Sequence, residues 1–231
     1  MKTKWTTGFL LGFFLAANSS GAERSSQTNP SIELATITIE IYDYAHMEPG
    51  RLLEAERIAG ATLLKAGVKA EWLAESTEGA PFSTGECAVA ANPTHLTLRV
   101  LPDSLSNSFR FVRSDALGFA SLCGRFSSNA WVLSDRVMDF ALVRSVLYER
   151  LLGAVIAHEL SHLLLGENTH SGAGLMHASW SRGELTAVAC GQLALSDTER
   201  KRIHAEVIAR HDGASVAMAH VPSWDSRTRP N

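Results

Sequence analysis

Within His158-Glu159-Leu160-Ser161-His162, three side chains suited to chemistry fall in five consecutive positions. On a helix, residues four apart share one face about one turn apart, so His158 and His162 can offer two imidazoles to a single metal ion. Glu159 leaves the helix beside that face. From there its carboxylate can hold and deprotonate a water without filling the coordination sphere. Gly166, His170, Ser171 and Met176 follow closely. Nine histidines in 231 residues would give only about 0.02 chance occurrences of His-Glu-x-x-His. The alternative, two core or surface histidines without a metal, leaves the short downstream run to a further histidine unexplained.

Such a pair needs a firm helix. The stretch from Phe140 to Leu165 reads as one long helix ending at Gly166, and it carries no charge between Arg150 and His158, as a helix buried on most sides would. Upstream, Ile37, Ile39 and Ile41 alternate with Thr36, Thr38 and Glu40, which predicts a half-buried strand over 36–42. Pro49-Gly50 then opens a helix whose apolar positions Leu52, Ala55, Ala59, Leu63 and Ala66 recur at helical spacing, with Gly67 to close it. Val68 to Leu73 returns as a strand. After a polar loop over 75–94, Leu96, Leu98 and Val100 mark a third strand, and 116–122 and 130–133 mark two short ones. A last helix is expected from Asp197 to about Ala209, opened by a Ser196/Glu199 capping box with Ile203 and Val207 facing the core.

A chain of this length can bury one good core. Residues 1–22 read as a secretory signal: Lys2 and Lys4, the apolar run Phe9 to Ala17, then Ser20-Gly21-Ala22, with cleavage expected after Ala22. The apolar run is shorter than the ~20 residues that span a bilayer, so no stable membrane anchor is expected after cleavage. The expected organisation is then a flexible leader over 23–31, one domain over 32–211 and a tail over 212–231, placed outside the cell or in a periplasm. Cleavage would move the formal charge from -3 to -5, because the segment holds two lysines and no acid. An acidic chain without a basic stripe excludes nucleic acid as a partner. Cys87, Cys123 and Cys190 allow one disulfide and one free thiol, with Cys87–Cys123 the preferred pair, or three buried thiols.

The cluster resembles the zinc site of the zincin metallopeptidases and, among them, the metzincins, whose pattern is His-Glu-x-x-His-x-x-Gly-x-x-His followed by a methionine turn. Here Gly166 comes one residue later than in that pattern and His170 two residues later. The resemblance makes His158, His162 and His170 the zinc ligands, Glu159 the general base, and Gly174-Leu175-Met176 the methionine turn beneath them. Ser171 after His170 echoes the His-Ser of matrix metalloproteases. Asn168 occupies the expected third-ligand position but is a poor zinc ligand, so Glu184 and, more remotely, His177 stand as alternatives to His170. Leu117-Gly118-Phe119-Ala120 is the candidate for an edge strand that binds substrate backbone. Tyr148 and Trp180 could lie near the site, although packing roles suit both.

The implied fold is α+β and zincin-like, a twisted mixed sheet packed with long helices, one of which carries the motif. The implied activity is that of a secreted zinc endopeptidase acting on peptides or proteins through a zinc-activated water, with Glu159 as base. Two other classes fit the same residues: a zinc-binding interaction module without turnover, and a non-proteolytic zinc amidohydrolase. A module that only binds metal has no use for Glu159, and chelator-sensitive peptide cleavage would exclude the second.

Overall fold

The alternation read in the sequence becomes a five-stranded sheet. A computed structural model describes residues 34–75, 92–106, 108–109, 112–124 and 126–219. The expected signal, leader and most of the 75–94 loop lie outside these residues. Strand β1 (Ala35–Asp43) buries Ile37, Ile39 and Ile41 and leaves the intervening residues half-buried. Helix α1 (Pro49–Leu64) leads to β2 (Val68–Glu75), which pairs in parallel with β1, and β3 (His95–Leu101) pairs in parallel on β1's other side. A short helix α2 (Asp103–Ser106), absent from the sequence expectation, precedes β4 (Gly118–Ser121) and β5 (Asn129–Leu133).

The sheet order is β2-β1-β3-β5-β4, and only β4, at the edge, runs antiparallel to its neighbour. The expected α+β class holds: a mixed sheet packed with long helices. All described residues belong to one compact unit, Ile32–Asn231. Among them no helix is long and apolar enough to cross a membrane.

The long helix expected from Phe140 is in fact two, α3 (Ser134–Arg144) and α4 (Tyr148–Leu165). Ser145 adopts the left-handed conformation at φ +55°, while its N–H and that of Val146 return to the carbonyls of Leu142 and Ala141. These bonds close a helix end. The boundary is hidden because Leu142, Val143 and Leu147 around it are exposed yet apolar. In addition, Leu147 at the start of α4 makes no side-chain cap.

Helix α4 is buried without interruption from Leu151 to Leu164. It crosses α1 at Gly153, where a Cβ would lie 2.7 Å from the Ala55 carbonyl and 2.7 Å from Ile58 Cβ. The bare residue is what lets the two backbones meet.

Helix α5 (Arg182–Ala189) and helix α6 (Asp197–Ala219) complete the chain. The capping box at Ser196 and Glu199 forms, with Ser196 N donating to Glu199 Oε2 at 2.7 Å, and Ile203 and Val207 are buried. Helix α6 runs to Ala219, well beyond the end expected near Ala209 and into the stretch expected to be loop. Arg210, just past that point, is held inside the protein. Its side chain is 1 % exposed, and its guanidinium donates to the carbonyls of Pro93 at 3.0 Å, Ser127 at 3.3 Å and Leu163 at 2.8 Å. A residue type that reads as solvent-facing here ties the helix to two loops and to α4. Cys123 is disulfide-bonded and Cys190 is free and exposed. The preferred partner, Cys87, lies outside the described residues.

Candidate metal centre

Helix α4 presents His158 and His162 one turn apart on one face, their rings 4.7 Å apart between centroids and nearly perpendicular. Each ring is fixed from behind. His158 Nδ1 donates to the Leu175 carbonyl at 2.7 Å, and His162 Nδ1 donates to the Glu167 carbonyl at 2.8 Å. A carbonyl only accepts, so both Nδ1 atoms carry the proton and both Nε2 atoms keep a bare lone pair. Those two Nε2 atoms face each other at 3.1 Å. Two lone pairs at that separation repel, and a cation shared between them removes the repulsion. Nitrogens bound tetrahedrally to zinc at about 2.0–2.1 Å stand roughly 3.3 Å apart, close to what the pair already adopts.

Beyond the end of α4, Gly166 takes a left-handed conformation at φ +67° and its N–H returns to His162 O at 2.9 Å. The chain then brings back His170, whose ring lies 5.4 Å from that of His158 and 4.9 Å from that of His162. One nitrogen from each of His158, His162 and His170 falls within 4.8 Å of the others. Two of the three residues are buried and His170 is exposed. Three imidazoles with an exposed side form a donor set that suits zinc and leaves room for a further ligand. Burial holds His158 down at about 4, with the neighbouring His162 adding to the effect. Burial likewise lowers His162 and His170. All three are therefore neutral at pH 7, as metal ligation requires.

Glu159 is 5 % exposed, and burial pushes its carboxyl up to about 8. Among the described residues nothing donates a hydrogen bond to it. It packs against the edge strand: a Cβ on Gly118 would sit 2.8 Å from Glu159 Cγ, 2.8 Å from Glu159 Oε1 and 2.8 Å from the Trp131 carbonyl. Gly118 therefore opens the space the carboxylate occupies. Glu159 and the segment Leu117-Gly118-Phe119-Ala120, far apart in sequence, are neighbours in space.

Leu175 and Met176 are each 1 % exposed beside the cluster. The Leu175 carbonyl accepts from His158 and also from Trp180 Nε1 at 3.1 Å, and the indole lies edge-on to His158 at 6.0 Å. Trp180 thus belongs to the site's surroundings, whereas Tyr148 sits at the far end of α4 with its hydroxyl 3.6 Å from Met47 Sδ.

Glu184 is turned to other work. Its carboxylate accepts from Gly174 N at 2.8 Å, from Ser181 N at 2.7 Å and from His177 Nδ1 at 2.8 Å. Burial opposes its ionisation, but these hydrogen bonds outweigh burial and bring it down to about 2. Neither Glu184 nor His177 joins the three-imidazole group.

Sequence reasoning missed Gly118 beside Glu159 and the carbonyls of Glu167 and Leu175 behind His162 and His158. Backbone acceptors leave no signature in residue type. The Ser196/Glu199 box was visible as a cap, but its reach to Ser171 was not.

No family model matches this chain, and no curated protein matches it. Among solved structures it is similar to an archaemetzincin from Methanopyrus kandleri, at 17% identity over 75% of this chain and 97% of that chain, with a TM-score of 0.44.

Proposed function

We propose that this chain is a zinc-dependent peptidase, secreted or periplasmic, that cleaves internal peptide bonds. One observation carries the reading: two imidazole Nε2 lone pairs held 3.1 Å apart on the same buried helix turn as a carboxylate to which no donor among the described residues bonds. His158, His162 and His170 hold the zinc ion. When bound, zinc supplies Lewis acidity that polarises a carbonyl and makes water acidic near neutral pH.

The chain's own groups do the rest. The carbonyls of Leu175 and Glu167 keep Nδ1 of His158 and His162 protonated, so that Nε2 of each stays available to the metal. Strand β4, paired with β5 on one side, accepts an extended substrate on the other by strand addition. Because Gly118 touches Glu159, a substrate strand so placed has its scissile bond beside the carboxylate. Glu159 takes the proton of the attacking water on its carboxylate oxygen and delivers it to the nitrogen of the leaving amine. Burial raises its carboxyl in the metal-free fold, and a cation held by the neighbouring imidazoles would favour its ionised, proton-accepting form. The third ligand in this reading is His170, because Glu184 is committed to His177 and two backbone donors.

Metal content and turnover of a generic peptide substrate test the reading on two variants. Glu159→Ala keeps zinc and loses turnover; His162→Ala loses both. Full turnover in Glu159→Ala removes the assigned base, and peptide cleavage that survives a chelator removes the metal from the reaction.

A further inference from the structure

We infer that Glu199, through Ser171, is a positioning residue for His170, so that the first turn of α6 is part of the metal centre. The inference rests on the zinc-peptidase reading above. His158 and His162 sit on a buried helix and each ring is fixed by a carbonyl at Nδ1. His170 has neither support: it is exposed, it lies in the loop after α4, and among the described residues no hydrogen bond holds its ring. Its orientation is therefore set by its backbone, and that backbone is fastened at the next residue.

Ser171 is held at two atoms. Its N–H donates to the Met176 carbonyl at 2.8 Å, and its Oγ donates to Glu199 Oε1. Glu199 is 6 % exposed, and its other oxygen accepts the Ser196 N–H that opens α6. One carboxylate thus caps a helix with Oε2 and holds the ligand loop with Oε1. One turn further along α6, Arg202 Nη1 donates to Glu167 Oε1 at 2.7 Å, and Glu167 supplies the carbonyl behind His162. The middle and the far end of the lengthened stretch between His162 and Ser171 are therefore tied to the same helix. A hydrogen bond that fixes a ligand from outside the coordination sphere commonly changes metal affinity tenfold or more.

The cap and the clamp share a carboxylate but can be separated. Ser171→Ala removes the clamp and leaves the cap, whereas Ser196→Ala removes the hydroxyl that accepts from Glu199 N and leaves Ser171 in place. Zinc affinity of the full chain is measured by competition with a chelator, and Co2+ absorption reports coordination number. Ser171→Ala and Glu199→Ala are each expected to weaken zinc by about tenfold and to lose intensity in the Co2+ bands. The double variant should be no worse than Glu199→Ala alone, since both remove one interaction. Glu199→Gln, which can accept from Ser196 N and donate to Ser171 Oγ, should restore affinity. Ser196→Ala should lower the melting temperature and leave zinc affinity unchanged.

Wild-type zinc affinity in Ser171→Ala overturns the proposal, as does an equal loss of affinity in Ser196→Ala and Glu199→Ala. His162→Ala separates the two levels of inference. If it binds zinc as tightly as wild type, the metal centre itself is misassigned and the positioning role falls with it.

Discussion

Gly118→Ala adds one methyl group at the point where the edge strand meets Glu159, the proposed base. The new Cβ would lie 2.8 Å from Glu159 Cγ, from Glu159 Oε1 and from the Trp131 carbonyl, whereas comfortable contacts for carbon begin near 3.5 Å. The overlap is therefore about 0.7 Å on three atoms at once. The Trp131 carbonyl cannot yield cheaply, because Gly118 and Phe119 stand in register with Val132 and Trp131 across the β4/β5 ladder. The glutamate side chain is the softer neighbour and moves. Forcing extra volume into a packed site costs about 1–3 kcal/mol, which for a domain of this size lowers the melting temperature by roughly 2–4 °C per kcal/mol. A displacement of the base approaching 1 Å costs on the order of 100-fold in turnover. None of the three nearest atoms belongs to His158, His162 or His170, so zinc stoichiometry should stay at the wild-type value. The assay compares peptide turnover, zinc content and melting temperature of Gly118→Ala with those of Gly172→Ala, whose Cβ would meet nothing within 4 Å. Wild-type turnover in Gly118→Ala would show that Glu159 has freedom the packing denies it and would refute the placement of the base against β4.

Two other perturbations follow from the same coordinates. Gly153→Ala should destabilise the fold by about 1–3 kcal/mol, because the methyl group meets the Ala55 carbonyl and Ile58 at 2.7 Å; an unchanged urea midpoint would mean that α1 and α4 can part without cost. For pH, Glu159 is protonated in the metal-free fold up to about 8 but ionises near 4.3 in an unfolded chain. Its folded value is raised, so its contribution to stability is complete below the unfolded value and is lost as pH rises toward 8. Chelated Glu159→Gln carries no such group and should gain stability over chelated wild type between pH 4.5 and 8, by about 5 kcal/mol at most. Parallel stability profiles for the two proteins across that range would contradict the burial of an uncompensated carboxyl.

Those features of the site that depend on local spacing are legible in the sequence. His158 and His162 share a face because four residues make about one helical turn, and the alternation of Ile37, Ile39 and Ile41 specified a strand with one buried side. The loop bearing His170 was harder, because His170 and Glu184 were both suitable by type; the hydrogen bonds around Glu184 depend on how the chain turns between Gly174 and the start of α5. The break at Ser145 lacked glycine, proline and a side-chain cap, and apolar residues continue through it. The extent of α6 was misjudged because residue type alone does not reveal that Arg210 would find three carbonyls inside the protein. Gly118 under Glu159 is a contact between a strand and a helix, which no window along the chain contains.

Arg210 lies later in the chain than every carbonyl it fastens, those of Pro93, Ser127 and Leu163. During synthesis the sheet and the helix bearing the two histidines are therefore made before their last tie exists, and those oxygens lack this donor until α6 has left the ribosome. The nascent chain can build its strands early, yet it locks only after translation has passed that arginine.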